Sequence, residues 1–87
     1  MNKNSIKLQI HCTSLAEFRA VCKKLSGQKL LGPGGQELDT YGMTEYHFGL
    51  GIRYINVYNG NTVRVKYAHD SKGIAKDLIM SASDFIK

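Results

Sequence analysis

Proline is nearly absent from this 87-residue chain, with Pro33 its single instance. A chain so poor in breakers, and 43% hydrophobic, has the composition of a folded domain. Nowhere do apolar residues run on for the ~20 positions that a membrane-spanning helix needs. The polar start Met1-Asn2-Lys3-Asn4-Ser5 leads into a strand pattern without an apolar leader, so the expectation is a cytoplasmic protein. Cysteine is scarce too. Cys12 and Cys22 lack CxxC spacing and lack a second pair, which argues against a structural zinc site. Both read as reduced core thiols. Acidic residues are outnumbered, seven against twelve Lys and Arg, which leaves a net charge of +5. Such a balance suits an anionic partner, either nucleic acid or an acidic protein surface.

Reaction signatures are also missing. Ser14, Ser71, Ser81 and Ser83 read as caps or surface residues. His11 and His47 can share a sheet face, but His69 falls on the opposite parity. The seven carboxylates are scattered, so paired acid chemistry has no home. Gly32-Pro33-Gly34-Gly35 lacks the Lys-Ser/Thr ending of a phosphate loop and reads as a connector. The expectation is a protein with no catalytic residue, metal or cofactor.

What the chain does contain is periodicity. Ile6, Leu8, Ile10 and Cys12 alternate with Lys7, Gln9 and His11, as in a half-buried strand. Ser14 and Glu17 form a capping-box pair ahead of Leu15, Phe18, Val21, Cys22 and Leu25 at helical spacing. Lys23 and Lys24 suit the last turns, and Gly27 suits the C-terminus, so a helix is expected over about 14–26. Asp39-Thr40-Tyr41 could add a short edge strand, and Thr44 to Phe48 read as a major strand. Gly49-Leu50-Gly51 fits a three-residue hairpin that buries Tyr46 and Phe48 and sets His47 opposite Arg53. A two-residue turn at Leu50-Gly51 is the alternative, which puts Tyr46 and Phe48 on the basic face, like a sheet that stacks bases.

Asn59-Gly60 is the strongest short-range signal, because both residues tolerate the positive φ of a type I′ turn. A two-residue turn there pairs Tyr54 with Val65 and Arg53 with Lys66. Ile52, Tyr54, Val63, Val65 and Tyr67 then face the core. Arg53, Arg64 and Lys66 share the outer face with Ile55 and Val57, whose exposure suggests a homodimer surface. Asp70 or Ser71 starts a last helix with Ile74, Ala75, Leu78, Ile79, Ala82, Phe85 and Ile86 on its apolar face. The expected fold is α+β, in the order β-α-β-β-β-α, with one antiparallel sheet and two helices packed on one face, residues 1–87 making one small basic domain.

Two basic surfaces emerge. One is the outer sheet face with Lys7, His11, Arg53, Arg64 and Lys66. The other is on the helices, with Arg19, Lys23, Lys24, Lys72 and Lys76. Phosphate contacts by such residues give salt-sensitive binding with little sequence preference. The helix–three strands–helix order and Ser71-Lys72-Gly73-Ile74-Ala75-Lys76 resemble a double-stranded-RNA-binding domain and its Ser-Lys-Lys-x-Ala-Lys segment. The resemblance implies phosphate contact by Lys72 and Lys76. Gly73 replaces the central lysine, and the family's Gly-Pro-x-His loop has no counterpart. The expected function is a non-catalytic module binding RNA or another nucleic acid. The alternative is a small phage-type inhibitor or adaptor that binds a host defence, toxin or nuclease protein.

Overall fold

The computed structural model describes residues 6–26, 28–32, 34, 37–38, 43–58 and 64–87, with Lys29 and Arg64 described by their backbone only. The class is α+β. Strands β1 (Ile6–His11), β2 (Lys29–Leu31), β3 (Glu37–Leu38), β4 (Tyr54–Tyr58), β5 (Arg64–Ala68) and β6 (Ile79–Ser81) form one sheet in the order β3-β2-β5-β4-β1-β6. Helices are α1 (Leu15–Leu25), α2 (Thr44–Gly49) and the short α3 (Ala82–Phe85), with a 3₁₀ turn over Lys76–Leu78. The sheet is mixed rather than purely antiparallel: β1 and β6 run parallel, as do β2 and β5.

Helix α1 follows its sequence logic. The Ser14 hydroxyl accepts from the Glu17 N–H at 3.2 Å. Glu17 reaches back one residue further than a standard capping box, accepting from the Thr13 N–H and hydroxyl at 2.9 Å each. These bonds hold its carboxyl below the ordinary carboxylate range, the Thr13 backbone bond first among them. Phe18, Val21, Cys22 and Leu25 are buried against the sheet. Ile10, Cys12, Leu30, Ile52, Ile55, Val57, Val65, Tyr67 and Ala82 belong to the same core. The Phe18 ring meets Tyr67 at 5.2 Å and Phe48 at 5.7 Å, so α1 and α2 lie on the same sheet face.

Three expectations give way. The first is the β4–β5 register. Tyr58 pairs with Arg64, Val57 with Val65, Asn56 with Lys66 and Ile55 with Tyr67. Five residues separate the last pair, not two, and Asn59-Gly60 itself lies outside the described residues. The slip is three positions. An odd slip turns one strand over relative to its neighbour. Val65 and Tyr67 face the core as expected, but Ile55 and Val57 join them there and Tyr54 faces outward. The physical reason is polar satisfaction. Ile55 and Val57 bury without cost, whereas Asn56 needs a partner and finds Gln9 across the β1 ladder. Arg53 therefore does not stand opposite Lys66, and the exposed Ile55–Val57 surface that suggested a homodimer does not exist.

The second concerns 44–49, which is helical rather than extended. Gly51 does adopt the left-handed conformation, at φ +98°. It does so one residue after the helix C-cap Leu50, its N–H bonding the Phe48 carbonyl at 3.1 Å, in place of a hairpin. Tyr46 is exposed, and His47 lies beside Tyr67 at 5.0 Å. The third concerns the last helix. Gly73 at φ +82° and the extended Ala75 interrupt it, and Asp70 Oδ1 accepts from the Lys72 N–H in a tight turn. Ile79–Ser81 instead pairs with the free edge of β1, supplying that edge with backbone partners that a helix could not. The suggested edge strand at 39–41 lies outside the described residues.

Candidate nucleic-acid interface

The sheet face opposite α1 and α2 is built by strand parity. Gln9 and His11 of β1 pair with Asn56 and Tyr54 of β4. Tyr54, Asn56 and Tyr58 pair in turn with Ala68, Lys66 and Arg64 of β5. Paired residues point to one side of a sheet, so these positions share the outer face. The His11 and Tyr54 rings stack at 4.5 Å with an interplanar angle of 11°. Asn56 donates to the Tyr58 hydroxyl at 3.4 Å and accepts from Gln9 Nε2 at 2.8 Å. Gln9 also donates to the Asp70 carbonyl at 3.2 Å. That bond places the crossover from β5 to β6 on this same face. Gln9 is fully buried beneath it, and its Oε1 has no hydrogen-bond partner among the described residues.

The expected binding residues separate into three groups. Lys66 is on the outer face, half-buried, and makes no ion pair among the described residues. Arg64 holds the β5 position across from Tyr58. Lys72 and Lys76 are exposed on the crossover, so they lie on the Lys66 side of the sheet, carried by a turn and a 3₁₀ segment instead of a helix start. Arg19 and Lys23 are exposed on α1, on the opposite side, and Arg19 Nε donates to Thr44 Oγ1 at 3.4 Å. Lys24 is occupied locally: its Nζ donates to the Phe85 carbonyl at 2.9 Å and sits 5.2 Å from that ring, tying α1 to α3.

Arg53 has a structural post. Its guanidinium lies 3.7 Å from the Phe48 ring centroid and donates to the Phe48 carbonyl at 2.7 Å and the Ile52 carbonyl at 3.1 Å. It braces the C-terminus of α2, where a cation is favoured. The alternation of β1 already sets Gln9 and His11 on the outer side, whereas Tyr54, Asn56 and Tyr58 are outer-face residues that reasoning from the sequence missed. The available signal is the Tyr-x-Asn-x-Tyr alternation of β4, in which Asn56 marks that side of the strand as polar.

Elsewhere the chemistry is muted. Cys12 is buried and its thiol is pushed up to about 12, by burial first and then by Cys22 and Glu17. Burial raises Cys22 as well, against the Tyr67 hydroxyl contact at 3.4 Å. Thiolate formation, which nucleophilic or metal-binding cysteines need, is opposed at both. Among the described residues no three His, Cys, Asp or Glu side chains gather where a metal could sit, and no helix is long and apolar enough to cross a membrane. No protein-family model, no curated protein and no solved structure matches the chain.

Proposed function

We propose that the protein is a non-catalytic nucleic-acid-binding module that takes single-stranded RNA on its outer sheet face. The observation that carries this reading is the row of His11, Tyr54, Tyr58 and Lys66 on one side of three adjacent strands. Flat aromatic surfaces on a sheet stack unpaired bases, and neighbouring cations neutralise the phosphates. Lys72 and Lys76, the lysines shared with the double-stranded-RNA-binding segment, extend that basic rim from the crossover. The buried Asn56 amide donates to the Tyr58 hydroxyl and so helps to fix that ring in place.

The test is fluorescence anisotropy with a labelled single-stranded RNA over a salt series. Binding should weaken with salt at a log–log slope of roughly −0.7 per phosphate contact. Tyr54→Leu and Tyr58→Leu keep apolar bulk but remove the ring face. Each should weaken binding about tenfold, within the ~1–3 kcal/mol of one base–aromatic stack. Salt-insensitive affinity, or affinity unchanged in the double variant, would overturn the reading.

A second reading, the protein-binding inhibitor or adaptor, is supported by α2, where Met43, Tyr46 and Leu50 are 51%, 57% and 54% exposed. A stoichiometric protein partner, retained after nuclease treatment and lost with Leu50→Asp, would decide for it.

A further inference from the structure

A cavity of ≈ 460 Å³ opens beside α2, at the end of the sheet where β2 and β5 finish. Leu38, Leu50 and Ile52 supply apolar walls, and Tyr46, His47 and His69 supply rings. Its size falls within the roughly 300–1,000 Å³ of small-molecule sites.

The tautomer of His47 determines what the cavity can recognise. Its Nδ1 lies 2.9 Å from the Met43 carbonyl oxygen. A carbonyl only accepts, so Nδ1 carries a hydrogen, and whenever the ring is neutral Nε2 is the acceptor. No group among the described residues bonds that Nε2. The described lining contains no lysine, arginine or carboxylate. A ligand chosen for its charge would find no counter-ion here. A flat, neutral ring bearing an N–H would find apolar walls, aromatic neighbours, and acceptors on the His47, His69 and Tyr46 side chains.

We propose that this cavity receives a nucleobase, with the sugar and phosphate left outside. The proposal rests on the nucleic-acid reading above and deepens it. His69 connects the two surfaces. It is exposed at the cavity and follows Ala68, which pairs with Tyr54 on the outer face. A strand leaving the Tyr54 platform rounds the end of β5 at His69 to reach the cavity on the α2 side of the sheet. The shared chemistry is the base, whether it arrives in an RNA strand or as a free nucleotide.

The experiment is an NMR titration of the intact chain with AMP, CMP, GMP and UMP, and separately with ribose 5-phosphate and a short single-stranded RNA. At least one nucleotide should shift the methyl signals of Leu38, Leu50 and Ile52 and the ring signals of His47, and ribose 5-phosphate should not. His47→Phe keeps a ring against Tyr67 but lacks the Nε2 acceptor, and should weaken nucleotide binding at least tenfold. Leu50→Trp, at an exposed rim position, should fill the cavity and abolish those shifts, which keeps the test open if His47→Phe unfolds. The proposal falls if no nucleotide moves the cavity signals, if ribose 5-phosphate moves them equally, or if Leu50→Trp changes nothing. Salt-dependent RNA binding without cavity shifts overturns the base pocket alone. Nucleotide shifts without salt-dependent RNA binding support the base pocket and overturn the outer-face reading. Protection of the cavity by a captured protein, with no response to nucleotides, overturns the proposal in favour of a protein occupant.

Discussion

Arg53 illustrates how a charge that looks free in a sequence can be engaged in the fold. Its guanidinium caps α2 and covers the Phe48 ring. Arg53→Ala should cost about 2 kcal/mol in denaturant unfolding, the scale of a charge-assisted hydrogen bond plus a cation–π contact. The same change should leave the salt slope of RNA binding as it was. A large fall in that slope with stability intact would restore Arg53 to the binding surface. Glu17 gives a pH prediction at the same scale. Its folded pKa is lowered by the Thr13 bonds, so its contribution is present above the unfolded value of about 4.3. That contribution is lost as pH falls through the lower, folded value. Glu17→Gln should flatten the acid limb of the stability–pH curve, measured by thermal unfolding between neutral and strongly acid pH, and an unaltered limb would refute it.

At the scale of elements, β4 and α2 carry the sharpest tests. Ile55 is fully buried, whereas Tyr54 is half-exposed on the other side of the strand. Ile55→Ala should cost about 2–5 kcal/mol, the usual cost of truncating a core side chain. Tyr54→Leu should cost much less, and the reverse order would mean that the strand is turned over. Gly51→Ala isolates backbone strain. An added Cβ would only touch His69 Nδ1 at an ordinary 3.7 Å, so the penalty comes from φ +98°. A loss of about 1 kcal/mol is expected, and an unchanged unfolding midpoint would argue against the left-handed cap. α1 was legible because its cap, period and terminal lysines all lie within one short stretch of chain. α2 was not, since Glu45-Tyr46-His47-Phe48 alternates as a strand would. Its helix is secured by Arg53 just beyond its end and by Tyr67, twenty positions along the chain from His47, against the His47 ring.

Across the whole molecule the basic residues divide by side. Lys66, Lys72 and Lys76 belong to the outer face and crossover, and Arg19 and Lys23 to α1. Replacing the first three together with Gln should make the salt slope shallower by about 2, from roughly 0.7 per lost contact. Replacing Arg19 and Lys23 should barely alter it. Anisotropy over one salt series reads both variants, and a slope that follows the α1 pair would move the interface to the helical side.

Local chemistry in the chain determined the basic charge, the first strand, α1 with its Ser14 cap, and the inward parity of Val65 and Tyr67. Those features depend on spacing over a few residues, and a period of two or 3.6 is readable wherever burial is one-sided. Only tertiary structure decided the β4–β5 register, the helical state of 44–49 and the breaking of the last helix into crossover, edge strand and short helix. Each depends on a partner far away in sequence: Gln9 for Asn56, Tyr67 for α2, and the open edge of β1 for Ile79–Ser81. Backbone groups and buried amides must find partners, and where those partners stand is a property of the assembled sheet. That assembly moved Arg53 from an expected phosphate contact to a helix brace and set Tyr54, Asn56 and Tyr58 on the outer face.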